Sequence, residues 1–277
     1  MEFNEAARDR PRLPPTGIEP IDEYGHGVSA CRTSDKKSLI IFPESYKPAD
    51  DPYYEDPDGS AFAWQNQEDA MDQLSWLKRI HEVNGADSHP RVQRLIQIQP
   101  GTEFPIVEFI SKGDLYSFLR ANPKPQVPSG KGSENPLALK LRWALNIASA
   151  LAFLHTKSII FEGLSPNTVH LRSDLSAVLV NLDVAAYKEQ PGSDGVADGY
   201  LSPDWHQSPL ADQPETWITT KQDVFAFGSL LYYLVEEEDP ESFEGEDDMP
   251  ELEEGGLGDI VRKCWLGEFE TMDEVVR

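Results

Sequence analysis

The hydrophobic pattern changes along the chain, from short runs in the first part to long helical stretches afterwards. Apolar runs such as "SLIIFP" (38–43) alternate with turn residues between Gly17 and Pro43, which is typical of short strands. In "EDAMDQLSWLKRIHEV" apolar residues recur at helical spacing, and "RVQRLIQIQ" and "FPIVEFI" predict two further strands. The first part is therefore predicted to contain strands, one helix and two more strands. The recurring helical positions are Ala70, Leu74, Leu77 and Ile80.

Three later segments have the length and spacing of buried helices. The longest, "LALKLRWALNIASALAFLH", is predicted to be the central helix of a helical region. The other two are "DVFAFGSLLYYLVEE" and "LGDIVRKCWL". The predicted apolar face of the longest helix consists of Leu137, Leu141, Leu145, Ala148 and Ala152.

This change of pattern indicates an α+β protein with a strand-rich lobe over 17–110 and a helical lobe over 111–277. Four further segments are polar, acidic or rich in proline, and they show neither the helical nor the strand period. We expect a disordered N-terminal segment, an acidic loop in each lobe and a linker in the second lobe. In chain order these are 1–16 (disordered segment), 43–65 (acidic loop), 122–136 (linker) and 236–254 (acidic loop).

The chain is strongly acidic, because 49 Asp and Glu residues against 24 Lys and Arg residues give a formal net charge of -25. Nucleic acids and anionic membranes are also negatively charged, so neither is expected as a partner. Protein partners with basic surfaces fit this charge better. The acidic loop 236–254 holds 12 acidic residues and no basic residue, which predicts a solvated loop.

The cysteine and histidine content argues against disulfide and metal chemistry. Cys31 and Cys264 are the two cysteines of the sequence, and its six histidines show no metal-ligand spacing. The first residues lack the apolar core of a signal peptide, and no run of about 18 apolar residues occurs. We therefore expect no metal site, a reducing compartment and a cytoplasmic location, with the nucleus as the alternative.

Six motifs in a fixed order carry a resemblance to a known family. They are "SHPRVQRLI", "IVEFISKGDLYSFLR", "LAFLHTKSII", "GYLSPDW", "KQDVFAFGSLLYYL" and "IVRKCW". In this order they resemble the protein kinase family, from about Tyr24 to Val276. The resemblance implies a two-lobed fold, with a strand-rich N-lobe and a helical C-lobe, although a fold alone does not give an activity. It also implies that Asp223 braces the backbone of the catalytic loop and that His155 is a structural histidine.

In the N-lobe the groups that hold the phosphates of ATP are incomplete. A kinase covers the phosphates with a glycine loop, and "YGHGVSACR" offers Gly25 and Gly27, with Ala30 in place of a third glycine. A simple turn between strands is the other interpretation. Aligning the pattern of "SLIIFP" puts Phe42 at the phosphate-binding lysine, and "DQLSWLKRI" puts Gln73 at the glutamate that pairs with that lysine.

In the C-lobe the residues that perform the chemistry are replaced. Leu164 and Pro166 match the family's His-Arg-Asp-Leu-x-Pro pattern, in which "FEG" then replaces His-Arg-Asp. Gly163 stands where the general base would be, and glycine cannot accept a proton. Thr168 replaces the asparagine that binds the second magnesium ion, and Leu182 replaces the aspartate of the metal-binding Asp-Phe-Gly.

Shifting the alignment by one residue gives an alternative. It places Glu162, Asn167 and Asp183 as general base, second-metal ligand and first-metal ligand. The shift breaks the Leu-x-Pro match, and it would turn Val169 and Leu171 away from the core. It also leaves the missing lysine unexplained. We therefore prefer the first alignment.

The resemblance and the replaced residues together imply a pseudokinase, which has no catalytic residue and works as a binding, scaffolding or regulatory module. The first alternative is a weak or atypical kinase that uses the shifted residues with Mg-ATP. The second is an acidic interaction module without a nucleotide site. If a nucleotide binds, the resemblance implies ATP held without magnesium, under the glycine loop and against the hinge. The hinge residues are Val107, Glu108, Phe109 and Ile110.

Overall fold

The computed structural model describes most of the two predicted lobes but not every segment between their elements. The described residues are 19–21, 28–33, 35–43, 61–85, 88–100, 103–122, 135–187, 200–202, 219–240, 249–252 and 254–277. The predicted disordered segment 1–16 and the two glycines Gly25 and Gly27 lie outside them. So do residues 44–60, 123–134 and 241–248, which include most of the predicted linker and a large part of each acidic loop.

The chain divides into two compact units that follow the predicted lobes closely. The first unit comprises Met1–Glu82 and Arg94–Phe109, and the second comprises Val83–Gln93 and Ile110–Arg277. Residues 83–93, which the hydrophobic pattern assigns to the strand-rich lobe, thus belong to the helical unit. The reason is backbone pairing, because the amide of Gln93 donates to the carbonyl of Leu179 in the second unit.

A five-stranded antiparallel sheet forms the frame of the first unit. Its strands are β1 Glu19–Ile21, β2 Val28–Arg32, β3 Ser38–Pro43, β4 Leu95–Ile98 and β5 Pro105–Glu108. They lie in the order β1-β2-β3-β5-β4, so β3 is central. Every residue of β3 from Ser38 to Phe42 is buried, which explains why its apolar residues are consecutive instead of alternating.

Helix α1 of the first unit spans Ala61–Asn84 and starts earlier than predicted. The predicted loop 43–65 is therefore wrong for its last five positions, which are helical. Pro57 and Gly59 are the last helix-breaking residues before this point, so nothing in the sequence prevents the helix from extending back to Ala61. Three predicted apolar positions are confirmed as buried: Leu74, Leu77 and Ile80.

The described part of the second unit contains five helices and two short antiparallel strand pairs. The helices are α2 Leu115–Ala121, α3 Pro136–Thr156, α4 Thr220–Glu236, α5 Gly256–Trp265 and α6 Met272–Val275. The strands are β6 Ile159–Ile160, β7 Val169–Leu171, β8 Ala177–Leu179 and β9 Ala186–Tyr187. Strand β6 pairs with β9 and β7 pairs with β8. Helix α3 packs against α4, α6, β6 and β8, and it is the predicted central helix.

Helix α3 buries a different face from the predicted one. Leu137 is 47% exposed and Leu145 is 58% exposed, so the predicted face is wrong for these residues, although Ala148 is buried. Helix α3 has no acidic residue and is apolar on most of its circumference, so spacing alone could not select the packed side. Its tertiary contacts select it. The buried residues are Leu139, Trp143, Ala144, Ile147, Ala148, Ala150, Leu151 and Leu154.

The length and mean hydropathy of α3 would also suit a membrane-spanning helix, contrary to the expectation from apolar runs. Half of its most apolar 18-residue stretch is buried inside the protein, as in the core helix of a globular domain.

Pro136 occupies the start of helix α3, and the side chain of Asn135 accepts a hydrogen bond from the Leu137 amide. The predicted linker therefore ends at the cap and does not include Pro136.

Helix α4 is buried on nearly all sides and packs closely against α5. A Cβ atom added at Gly228 would lie 2.6 Å from Cβ of Cys264, so only glycine allows this approach. Cys264 is buried, and burial raises its pKa to about 12. The thiol is therefore protonated at neutral pH and contributes to the packing between α4 and α5. The indole Nε1 of Trp265 donates a hydrogen bond to Ser229 Oγ at 3.0 Å.

Candidate functional site

The loop between β6 and β7, residues 161–168, is held by a buried carboxylate on α4. Asp223 is 0% exposed. Its carboxylate oxygens accept hydrogen bonds from the backbone amides of Phe161 and Glu162, each at 2.8 Å. The Nε2 atom of His155 lies 2.7 Å from Asp223 Oδ2. The bracing role that the resemblance implied for Asp223 is confirmed, because its carboxylate holds two backbone amides of the loop and lies against His155.

Gly163 follows the two braced residues and has no side chain to offer to a substrate. It is buried, and its amide donates to the Phe161 carbonyl at 2.6 Å. The preceding residue, Glu162, has a φ of 55°, in the left-handed region that costs a non-glycine residue roughly 1–2 kcal/mol. The hydrogen bond from the Glu162 amide to Asp223 offsets part of this cost. The turn is therefore maintained although the residue after it carries no acid or base.

Thr168 closes the 161–168 loop from the inside. Its hydroxyl lies 2.7 Å from the Gly163 carbonyl and 3.1 Å from the Ser165 carbonyl, to which it can donate. The same oxygen accepts a hydrogen bond from the Ser165 amide at 3.0 Å. The Thr168 carbonyl accepts from the Val180 amide at 3.0 Å. A hydroxyl that is used by three backbone groups holds the loop, and a magnesium ion would have to compete with those groups for it.

Leu182 and Asp183 lie together in a short 3-10 turn, Leu182–Val184. The residue before the turn, Asn181, has a φ of 58°. Leu182 is 0% exposed and Asp183 is 1% exposed. At Leu182 the first alignment thus has a buried alkyl group, which has no oxygen for magnesium. The neighbouring Asp183 brings a carboxylate into the same turn.

The burial of side chains on β7 and β8 can be compared with the first and the shifted alignment, and only β7 distinguishes them. On β7, Val169 and Leu171 are fully buried and His170 between them is partly exposed, which is the arrangement that the first alignment requires. On β8 and at the residue after it, all four positions from Ala177 to Val180 are buried. The inward pattern on that strand therefore does not distinguish the two alignments.

The three residues of the shifted alignment differ widely in exposure. Glu162 is partly buried, Asn167 is exposed and Asp183 is buried. The backbone of Asn167 makes a hydrogen bond with His170, whose pKa is lowered by burial against the opposing effects of Asp114 and this bond. Among the residues that the structure describes, no group of three or more His, Cys, Asp or Glu side chains is arranged to hold a metal ion.

In the first unit, β3 presents no cation on either face. The register pairs Leu39 with Val107, and residues that are directly paired share a face of the sheet. Ile41 therefore lies on the Val107 face and Phe42 on the opposite face, where its ring is 6.4 Å from the ring of Phe104. Ile41 is a residue that the sequence alignment did not single out. Whichever of the two is compared with the lysine, the side chain is apolar.

The hinge residues differ in exposure, and the first unit ends within them along the chain, at Phe109. Val107 and Ile110 are buried, whereas Glu108 and Phe109 are partly exposed. The Phe109 amide donates to the Lys37 carbonyl at 2.9 Å, so the ladder between β3 and β5 continues to this residue. Gln73, the counterpart of the family's glutamate, lies on α1.

The guanidinium carbon of Arg32 lies 4.2 Å from the centroid of the Phe109 ring. The sequence analysis missed this contact, because residues 32 and 109 are brought together by strand pairing and no local pattern relates them. Arg32 is at the end of β2, where it pairs with Leu39 of β3.

A histidine–serine pair elsewhere on the second unit is not arranged as a nucleophilic site. His89 Nε2 lies 3.0 Å from Ser149 Oγ, while the Arg91 amide donates to His89 Nδ1 at 3.2 Å. The proton of the neutral ring is therefore on Nε2. Burial, and then the charge of Arg91, lowers the pKa of His89 and favours this neutral form. Its Nε2–H donates to the serine oxygen and cannot accept the hydroxyl proton.

Comparison with known proteins finds relatives of a large part of this chain. A model of the family described as protein tyrosine and serine/threonine kinase matches residues 63–274, well over half of the chain. Receptor-interacting serine/threonine-protein kinase 1 of Homo sapiens is 25% identical over 171 residues, which are 55% of this chain and 23% of the relative. The probable serine/threonine-protein kinase roco6 of Dictyostelium discoideum is 26% identical over 187 residues, 62% of this chain and 8% of the relative.

A third relative, a probable inactive serine/threonine-protein kinase of Dictyostelium discoideum, is 30% identical over 111 residues, which are 36% of this chain and 9% of the relative. The chain thus spans less than a quarter of the length of each of these three relatives.

Proposed function

This chain belongs to the protein tyrosine and serine/threonine kinase family, and we propose that it is a member that transfers no phosphate and works as a binding, scaffolding or regulatory module. Its α+β kinase fold is the premise of the proposal. The loss of activity and the binding role are inferred from the residues that the fold brings to the 161–168 loop and to β3.

One observation carries the proposal: the backbone of the 161–168 loop is braced, but the residue that follows the brace is glycine. Asp223 holds the amides of Phe161 and Glu162, and Gly163 comes next. A general base contributes about 100- to 10,000-fold to a rate, and a Cα hydrogen cannot take that role. The chain therefore keeps Asp223, which positions the backbone of a catalytic loop, but it lacks the general base that this loop would carry at position 163.

Three further losses support the proposal, because phosphoryl transfer depends mainly on positioned charge. Leu182 offers no oxygen to magnesium, and the hydroxyl of Thr168 is already used by the backbone of its own loop. On β3, Ile41 and Phe42 are both apolar, so no lysine from this strand neutralises a phosphate. Several losses of this kind are harder to compensate than one. The Dictyostelium relative that is named as probably inactive agrees with the proposal.

The test is turnover of radiolabelled ATP, with magnesium and with manganese, on general protein substrates and on the chain itself. We expect no transfer above the background of a buffer control. Four variants accompany the wild type: Glu162→Gln and Asp183→Asn, with the exposed carboxylates Glu268→Gln and Asp273→Asn as matched controls. Turnover that survives in every variant comes from a contaminating kinase, and repeating the assay after a further purification step must remove it.

The second candidate function, a weak kinase, is favoured by one observation: Asp183 places a buried carboxylate in the turn where a metal ligand is expected. In that case Glu162 and Asn167 complete the site, and Mg-ATP is the cofactor. The same assay decides between the two functions. Turnover that Glu162→Gln and Asp183→Asn abolish, and that the two control variants retain, would establish the weak kinase and overturn the inactive one.

Basic proteins are the proposed partners, and neither nucleic acid nor a membrane is proposed. The support is the net charge of -25, which attracts basic surfaces and repels polyanions. Binding to polylysine, to duplex DNA and to anionic vesicles at low and at high salt tests this. We expect salt-sensitive binding to polylysine alone, because screening weakens attraction between exposed charges.

The cytoplasm is the proposed location of this protein, with the nucleus as the alternative, and imaging of a tagged chain tests it.

A further inference from the structure

The register of the sheet aligns three side chains across three strands of the first unit. Arg32 of β2 pairs with Leu39 of β3, and Leu39 pairs with Val107 of β5. Paired residues share a face, so Arg32, Leu39 and Val107 project from the same side of the sheet. We call this side the hinge face, because Val107 begins the hinge. Ile41, two residues after Leu39, belongs to the same face.

The hinge face is already covered in this structure. Leu39 is 4% exposed, and Ile41 and Val107 are 0% exposed. Ala30, which is two residues before Arg32 on β2, is 1% exposed. A face that is to accept a planar ligand would leave such side chains accessible, since the ligand must reach them to remove them from water.

Arg32 occupies the aromatic end of the hinge face. Phe109 follows two residues after Val107, and its amide is fixed to the Lys37 carbonyl at 2.9 Å. The guanidinium of Arg32 lies over the Phe109 ring, 4.2 Å from its centroid. A guanidinium is planar and weakly hydrated, and it stacks on an aromatic ring much as a heterocyclic base does. Arg32 and a base would therefore compete for the same ring.

We propose that Arg32 is an internal occupant of the hinge face, which closes this face against the ring of an adenine nucleotide. The inference rests on the proposed function and deepens it: the folded chain then binds its partners without a bound nucleotide. Strand β3 contributes no cation to this face, since Ser38–Pro43 contains no lysine or arginine.

The experiment measures binding of adenosine and of ATP, without magnesium, by the shift in melting temperature and by titration calorimetry. A ligand that binds the folded state alone raises the melting temperature. The wild-type chain is expected to show no shift with either compound. Arg32→Ala is expected to gain affinity for both, by about tenfold or more, which is the fold-change that the loss of one competing cation–π contact allows.

Two further variants serve as controls. Arg32→Lys keeps the charge but loses the planar group, so it is expected to bind adenosine more weakly than Arg32→Ala and more tightly than the wild type. Arg79→Ala removes an exposed arginine of α1 that pairs with Glu82, and it should behave as the wild type does. If Arg32→Ala does not fold, Arg32→Val, whose branched side chain suits a strand, decides in its place.

Either of two outcomes overturns the inference. One is adenosine binding by the wild-type chain as tight as in Arg32→Ala, and the other is a folded Arg32→Ala or Arg32→Val that binds no adenosine. These outcomes are separate from a failure of the proposed function, which phosphate transfer alone decides. A wild type that binds adenosine as tightly as Arg32→Ala does, but transfers no phosphate, contradicts only the inference. Arg32→Ala that binds adenosine and transfers phosphate contradicts only the proposed function.

Discussion

The 161–168 loop of the helical unit and strand β3 of the sheet unit treat buried charge in opposite ways. The loop depends on Asp223, a fully buried carboxylate with hydrogen bonds to two amides and a histidine. Strand β3 is as deeply buried, but from Leu39 to Phe42 it contains only apolar side chains. Burial of a charge is unfavourable unless partners compensate it. Protein groups compensate the buried carboxylate of Asp223. On β3 only a bound ligand could compensate a buried charge, and β3 contains no charged side chain.

The largest expected effect is in the loop. Asp223→Ala should lower the free energy of unfolding by about 3–5 kcal/mol, because it leaves buried amides without an acceptor. Urea unfolding measures the loss, and hydrogen exchange locates it at the amides of Phe161 and Glu162. Asp273→Ala, at an exposed carboxylate, is the control and should stay within about 0.5 kcal/mol of the wild type. Unchanged protection of the two amides in Asp223→Ala would contradict the bracing role.

The matching change in the sheet should cost somewhat less. Phe42→Ala removes a buried ring that contacts Phe104, and we expect a loss of about 3 kcal/mol from the free energy of unfolding. Phe42→Leu, which keeps most of the volume, should lose about 1 kcal/mol. Neither variant should alter exchange at the amides of Phe161 and Glu162 before global unfolding. Equal losses in the two variants would mean that the ring is not packed as described.

A buried histidine makes the sheet unit sensitive to acid. His81 on α1 is 5% exposed, and burial lowers its pKa from 6.5 to about 4. Because the unfolded chain binds the proton more readily, stability is complete above pH 6.5 and falls as the pH drops from 6.5 towards 4. The loss over this range is up to about 3 kcal/mol.

Urea unfolding at pH 7.5 and at pH 5 measures this dependence. His81→Leu has no group to titrate, so it should lose less stability than the wild type between the two pH values. The buried position of His81 is the reason for the effect, and a variant at the partly exposed His155, which is paired with Asp223, would not be a clean control. An identical pH dependence in wild type and His81→Leu would show that His81 does not contribute.

The smallest expected effect concerns the hydroxyl inside the loop. Thr168→Val keeps the shape but removes the bonds to Gly163 and Ser165, so we expect a loss of about 1 kcal/mol, with faster exchange at the Ser165 amide. Thr156→Val, at an exposed hydroxyl that bonds to the Phe153 carbonyl, is the matched control and should change stability little.

Thr168→Asn restores the family's magnesium ligand at this position, so it tests directly whether the loop can still hold the metal ion. If it binds magnesium when nucleotide is present, the hydroxyl is replaceable by a ligand, and the loop is less degraded than proposed.

Elements that depend on local periodicity were predicted well. The spacing of Leu74, Leu77 and Ile80 gave the buried side of α1, and "FPIVEFI" contains β5 at its centre. The order of six motifs was enough to identify the family, because each motif is local and their order survives insertions. Asp223 was recognised in the same way. Its three partners, however, lie more than 60 residues away in the chain.

The sequence by itself determined the sheet-then-helix order, the family, and the absence of an acid or base at Gly163. The tertiary structure alone decided three other matters: which side of α3 is buried, on which face of β3 Phe42 lies, and that Arg32 covers Phe109. Periodicity along a helix or strand shows which of its sides is apolar. Helix α3 is apolar on most of its circumference, so periodicity could not single out the side that is buried. Register between strands fixes the face of every side chain, and it is set by pairing between segments that are distant in the chain.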